Sequence, residues 1–254
     1  MPARIRNIAH RGLWDESVPQ NTLEAFRRAW AAGATWVETD FHHTKAGQMV
    51  CVHAEAELLR YTGCAKRIAD LSPGEVASLR LSPGGHRIPL LHEVLATVPL
   101  RGTLQAEIKG YSATYADVFD AAVREAGLSP DNVVVSSFDQ DALADFRARK
   151  PCYRTLLLFG VPKGGDTDVF AKIELCRKAG IGYFCPGLTA GDRPLSPEEA
   201  AAVRAAGLDL RVYGVNSPEA LRQARDVGAA AFTCNFWRKA FDWARDLGGV
   251  ELLP

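Results

Sequence analysis

The chain has 254 residues, which is room for one large domain or two small ones. Its composition, 47% hydrophobic and 24% charged, is that of a globular protein able to bury a sizeable core. Lysine and arginine total 30 against 30 acidic residues, so nothing points to a nucleic-acid groove or an anionic membrane surface as partner.

The N-terminal "MPARIRNIAH" lacks an apolar signal core and runs straight into a strand-like segment. "NTLEAFRRAWAAG" follows as a helix: Asn21 or Thr22 can cap it, Glu24 suits its first turn and Gly33 its end. "WVETDF" is the second strand. "MVCVH" lies too close behind it for a parallel crossover, which needs a dozen or more residues, and Lys45-Ala46-Gly47 reads as a turn. "MVCVH" is therefore expected to return as an antiparallel arm. Residues 55–89 then form an insertion in which "LSPGEVASLRL" is a short helix and "HRIPLL" leads back.

From there strands and helices alternate: "GTLQAEIK" and "YADVFDAAVREAG", "NVVVSSF" and "QDALADFRARK", "RTLLLF" and "DVFAKIELCRKAG". "IGYFCPG" and "SPEEAAAVRAAG", "DLRVYGVN" and "SPEALRQARDVG", and "AAFTCNF" and "RKAFDWARDLG" continue the series. Without the return arm there are eight strands. The expected fold is thus α/β, a TIM (β/α)8 barrel in a single domain over residues 1–254, with a small insertion after the second strand. A doubly wound open sheet is the alternative, weakened by the lack of a Gly-rich turn after the first strand. No apolar run approaches membrane-spanning length. The six cysteines form no CxxC pair and read as buried free thiols of a reducing compartment, so a cytoplasmic protein is expected.

In a barrel the strand C-terminal ends build the site. Glu38 and Asp40, two apart on one strand, share a face, and Glu107 sits near the end of another strand. An isolated ExD pair is more often bridged by lysine or arginine. Three carboxylates buried together call for a hard divalent ion, Mg²⁺ or Ca²⁺. His10 ends the first strand and His53 closes the return arm. Each alone reads as a structural histidine, and together at one mouth they suit acid–base work. Arg11 and Lys109 could hold a phosphate, and Gly12 could admit close approach of a ligand. His42 and His43 read as solvated loop residues.

In order, these residues resemble the glycerophosphodiester phosphodiesterase family, whose pattern is HRG, PENT, ExD, TxDG, HD and EIK. Here they stand as "HRG" at His10–Gly12, "PQNT" at Pro19–Thr22, "ETD" at Glu38–Asp40, "TKAG" at Thr44–Gly47, "HA" at His53–Ala54 and "EIK" at Glu107–Lys109. "SSF" at Ser136–Phe138 and "VYGVN" up to Asn216 are similar to later family segments. The resemblance implies a TIM barrel that hydrolyses glycerophosphodiesters to an alcohol and glycerol 3-phosphate. It implies Glu38, Asp40 and Glu107 as ligands of one divalent cation, His10 and His53 as the acid–base pair, and Arg11 and Lys109 as phosphate contacts. The implied partner is a small-molecule glycerophosphodiester, with no nucleic acid and no membrane span. The chain departs from the pattern at Gln20, Ala46 and Ala54, and "ITDxP" reads "FTCNFW", where Trp237 is expected to pack the last helix. Ala54 leaves His53 without the aspartate that would orient it. Two other readings follow from the departures: a phosphodiesterase or phospholipase D-like enzyme for another head group, or a catalytically weak binder of phosphorylated polyols.

Overall fold

The computed structural model describes residues 2–112 and 114–254. In chain order, β1 (Ala3–His10) leads to α1 (Leu23–Ala31), β2 (Trp36–His43), β3 (Met49–Cys51), α2 (Glu55–Thr62) and α3 (Pro73–Ser78). Then come β4 (Arg80–Leu81), β5 (His86–Arg87), α4 (Leu91–Leu95), β6 (Thr103–Lys109) and α5 (Tyr115–Glu125). The remainder repeats one unit: β7 (Val133–Ser137), α6 (Gln140–Arg149), β8 (Arg154–Phe159), α7 (Val169–Ala179), β9 (Tyr183–Pro186) and α8 (Pro197–Ala205). It closes with β10 (Asp209–Val212), α9 (Pro218–Asp226), β11 (Ala231–Cys234), α10 (Trp237–Leu247) and β12 (Val250–Leu253). β1, β2 and β6 to β11 are the eight strands of a (β/α)8 barrel, as the alternation predicts. Among the described residues no helix is long and apolar enough to cross a membrane.

The chain organises into two compact units, Arg11–Val135 and Met1–His10 with Ser136–Pro254. In the first, β2 pairs in parallel with β6 and antiparallel with β3. The return arm is thus an antiparallel hairpin, as its short link requires. The insertion rests on its own apolar cluster: Val50, Val52, Leu58, Ile68, Leu71, Val76, Leu81 and Ile88, all buried. Ser72 and Glu75 form a capping box at the start of α3. The two-stranded hairpin of β4 and β5 and the short α4 are additions to what the sequence predicts.

In the second unit, β8 pairs with β9, β9 with β10, β10 with β11, and β11 with β1, all in parallel. β12 was not expected. It lies parallel to the first half of β1, Ala3 opposite Val250 and Arg6 opposite Leu253. Four of the six cysteines are buried, and all six are free thiols, but Cys152 is exposed and Cys64 half-buried.

Candidate active site

β2 presents two faces. Val37, Thr39 and Phe41 alternate on one, and Trp36, Glu38, Asp40 and His42 on the other. The register sets Glu38 beside Gln105, Asp40 beside Glu107 and His42 beside Lys109. The polar faces of two adjacent strands thus bring Glu38, Asp40 and Glu107 together. Each offers a carboxylate oxygen within 4.8 Å of the others, and all three residues are buried. Lys109 Nζ lies 2.7 Å from Glu107 Oε1 and 3.2 Å from Asp40 Oδ1.

The loop between β1 and α1 supplies the second cation. Arg11 has a positive φ of 59°, uncommon for a residue with a side chain, and its N–H donates to the Glu38 carbonyl at 2.9 Å. That backbone holds the guanidinium with Nε 3.0 Å from Asp40 Oδ2. Gly12 also has a positive φ, and a Cβ there would lie 2.6 Å from the carbonyl carbon of Ala25. Its bare Cα admits close approach of α1. Asn21, at φ 57°, donates from Nδ2 to Asp40 Oδ2 at 2.9 Å and accepts from Thr39 Oγ1 at 3.0 Å. Asparagine tolerates this left-handed backbone well.

These contacts divide the carboxylates electrically. Burial pushes the Glu107 carboxyl up, the neighbouring Asp40 carboxylate adds to this, and Lys109 only partly offsets it, leaving Glu107 at about 7. Burial and then Asp40 likewise drive Glu38 well above the carboxylate range. For Asp40 burial acts in the same direction, but Arg11 and Lys109 outweigh it and hold it well below that range. Burial would lower the Lys109 ammonium, yet Asp40 and Glu107 more than reverse this. Three buried carboxylates against two cations leave room for further positive charge. The all-oxygen donor set suits a hard divalent ion, so this cluster could hold one.

His53 follows the return arm at the entrance to α2. Its Nδ1 faces Glu57 Oε1 at 3.4 Å, and its carbonyl lies 3.0 Å from His42 Nε2. His42 and His43 are not solvated loop residues. β2 runs through them, pairing His42 with Val50 and His43 with Met49. Both are half-buried, His43 with its ring 6.0 Å from that of Tyr115. Burial lowers both imidazoles below the ordinary histidine value.

His10 belongs to the other unit, at the end of β1. Its Nδ1 makes a short hydrogen bond with Asn235 Oδ1, and the Asn235 N–H donates to Asn216 Oδ1 at 2.8 Å. Trp237 packs as expected: it is buried, its Nε1 donates to the Asn7 carbonyl at 2.9 Å, and Asn7 Nδ2 donates back to the Trp237 carbonyl at 2.8 Å. The structure thus adds Asn21, Glu57, Asn216 and Asn235 to the residues expected from sequence. Asn21, Asn216 and Asn235 lay in the quoted "PQNT", "VYGVN" and "FTCNFW", while Glu57 lay in no quoted motif.

Residues 10–239 match the model of the glycerophosphoryl diester phosphodiesterase family. A glycerophosphodiester phosphodiesterase of Caldanaerobacter subterraneus subsp. tengcongensis is 32% identical over 162 residues, 60% of this chain and 65% of that protein. One from Bacillus altitudinis is 28% identical over 241 residues, 90% of this chain and 94% of its own. A crystal structure of a candidate enzyme of this class from Silicibacter pomeroyi has a TM-score of 0.80 and 23% identity, covering 99% of this chain and 96% of that one, a likeness that shows the fold. With its model matched over all but the chain's ends, the protein belongs to the glycerophosphoryl diester phosphodiesterase family.

Proposed function

We propose that this protein hydrolyses glycerophosphodiesters to an alcohol and glycerol 3-phosphate, with one divalent cation, Mg²⁺ or Ca²⁺, as cofactor. The observation that carries the reading is the convergence of Glu38, Asp40 and Glu107 within 4.8 Å in a chain of this family. These three would hold the ion. When bound, the ion would polarise a phosphoryl oxygen and acidify a coordinated hydroxyl.

The remaining work falls to side chains. Arg11 and Lys109 are the cations available to the phosphate, where they would stabilise charge developing in the transition state. His10 and His53 act as the acid–base pair: one deprotonates the nucleophile and the other protonates the departing alkoxide. His10 turns its Nδ1 to Asn235 Oδ1, and His53 turns its Nδ1 to Glu57 Oε1 at 3.4 Å, which leaves Nε2 of His53 to hold or move a proton.

The test is turnover of glycerophosphocholine and glycerophosphoethanolamine, followed by released glycerol 3-phosphate. Activity should require Mg²⁺ or Ca²⁺, disappear with EDTA, and disappear in His10→Ala. Glu38→Gln should lose metal affinity, measured by calorimetry, together with activity. Absence of turnover of any glycerophosphodiester with metal supplied would overturn the proposal.

A further inference from the structure

His53 stands just before Ala54, the N-cap of α2, which has no side-chain oxygen to offer. A carboxylate nevertheless stands at His53. Glu57 is the third residue of α2, and helical side chains lean back over the preceding turn, so a glutamate there reaches the chain entering the helix. Its Oε1 accepts from two side chains and faces a third. Gln20 Nε2 makes a short hydrogen bond to it, Arg11 Nη1 lies at 3.1 Å and His53 Nδ1 at 3.4 Å. Arg11 is thereby clamped between Glu57 and Asp40, whose Oδ2 lies 3.0 Å from Arg11 Nε. Gln20 completes the arrangement as an amide: its Oε1 accepts from Arg11 Nη1 at 3.2 Å while its Nε2 donates to Glu57. A carboxylate at position 20 would have no proton to donate and would face Glu57 as a like charge.

We infer that Glu57 is the positioning residue of this site, orienting His53 through Nδ1 and Arg11 through Nη1, with Gln20 as its obligate amide partner. A carboxylate facing Nδ1 at 3.4 Å favours the tautomer with its proton there and leaves Nε2 to exchange protons. The inference rests on the phosphodiesterase reading for what His53 and Arg11 do next, and on geometry alone for what Glu57 does to them. A glutamate that merely ordered α2 would affect folding but neither the tautomer of His53 nor the turnover of the folded enzyme.

The experiment compares the full-length wild type with Glu57→Leu and Glu57→Gln. Long-range ¹H–¹⁵N spectra of the neutral His53 ring should show Nδ1–H in the wild type and a shift toward Nε2–H in Glu57→Leu. With glycerophosphocholine and Mg²⁺, kcat should fall roughly ten- to a hundredfold in Glu57→Leu, the usual scale for losing a group that orients a site residue. Glu57→Gln is isosteric and serves if the leucine variant does not fold; its kcat should also fall. Gln20→Glu should be impaired alone, and Gln20→Glu with Glu57→Gln should recover activity, because the swap restores one amide and one carboxylate. An unchanged His53 tautomer in Glu57→Leu, an unchanged kcat in Glu57→Gln, or additive losses in the swapped pair would each overturn the inference. If the wild type hydrolyses no phosphodiester, the functional proposal fails, while the His53 spectra still decide the role of Glu57.

Discussion

Freed of divalent metal, the protein should lose stability as pH rises from about 5 to about 7, the reverse of the usual carboxylate behaviour. The perturbation is pH alone, and Glu107 is the group that responds. In the folded chain its carboxyl sits at about 7 against an ordinary 4.5, because burial and Asp40 disfavour its charge. Between those values the folded state holds a proton that the unfolded chain has released, so each pH step favours unfolding. A rise of that size corresponds to roughly 3 kcal/mol, fully lost once pH exceeds about 7. Glu38 is displaced in the same direction. Asp40 is displaced oppositely, so its contribution is lost only as pH falls below the ordinary value of 3.8, outside this window. A divalent ion held as proposed would replace the missing protons, and at a hundred times its dissociation constant it should return about 2.7 kcal/mol. The assay is urea unfolding followed by tryptophan fluorescence at pH 5.5, 6.5 and 7.5, in EDTA and in Mg²⁺ or Ca²⁺. In Glu107→Gln both the pH slope and the metal effect should shrink. Stability that is flat or rising with pH in EDTA, or a metal effect of equal size in Glu107→Gln, would refute the reasoning.

Three further outcomes follow from local geometry. Gly12→Ala should cost about 2–4 kcal/mol, since the residue has φ +82° and its new Cβ would lie 2.6 Å from the Ala25 backbone; urea titration measures this, and a loss under about 1 kcal/mol would show that α1 yields freely. Ala54→Asn should stabilise by about 1 kcal/mol by giving the extended N-cap of α2 a side-chain acceptor, readable as a raised midpoint. An unchanged midpoint would mean that this helix end gains nothing from a cap. Trp237→Phe should cost about 1–3 kcal/mol because the buried Asn7 carbonyl loses its indole donor at 2.9 Å. Equal thermal melts would mean that another donor takes its place.

The barrel was legible because its strands are apolar runs of the right length and its helices carry their own caps, as at Thr22, Ser196 and Ser217. The acid cluster was legible for a related reason. Spacing of two on a strand dictates a shared face, and adjacent strands in register then join Asp40 to Glu107. His42 and His43 were misread because no local signal says where a hairpin strand ends: β2 continues two residues past Phe41, to pair with Val50 and Met49. Glu57 was hidden differently. Its role depends on the angle at which α2 leaves the hairpin, and a scan for an acid directly after His53 finds alanine. Asn235 likewise becomes visible only when the end of β11 is set beside the end of β1 by their parallel pairing. β12 is only four residues at the end of the chain, too short for its pattern to mark a strand even with Gly248-Gly249 as a turn before it.

The insertion's separate apolar cluster has a kinetic consequence. Val50 and Val52 just before His53, and Leu58 beside Glu57, belong to that small cluster, so the histidine and its carboxylate ride on a patch of limited size. Segments secured by few apolar contacts open at lower cost than the body of a domain. Heating should therefore silence the enzyme below the temperature at which its barrel melts, with activity returning on cooling. Amide exchange over residues 50–88 should quicken in step with the loss.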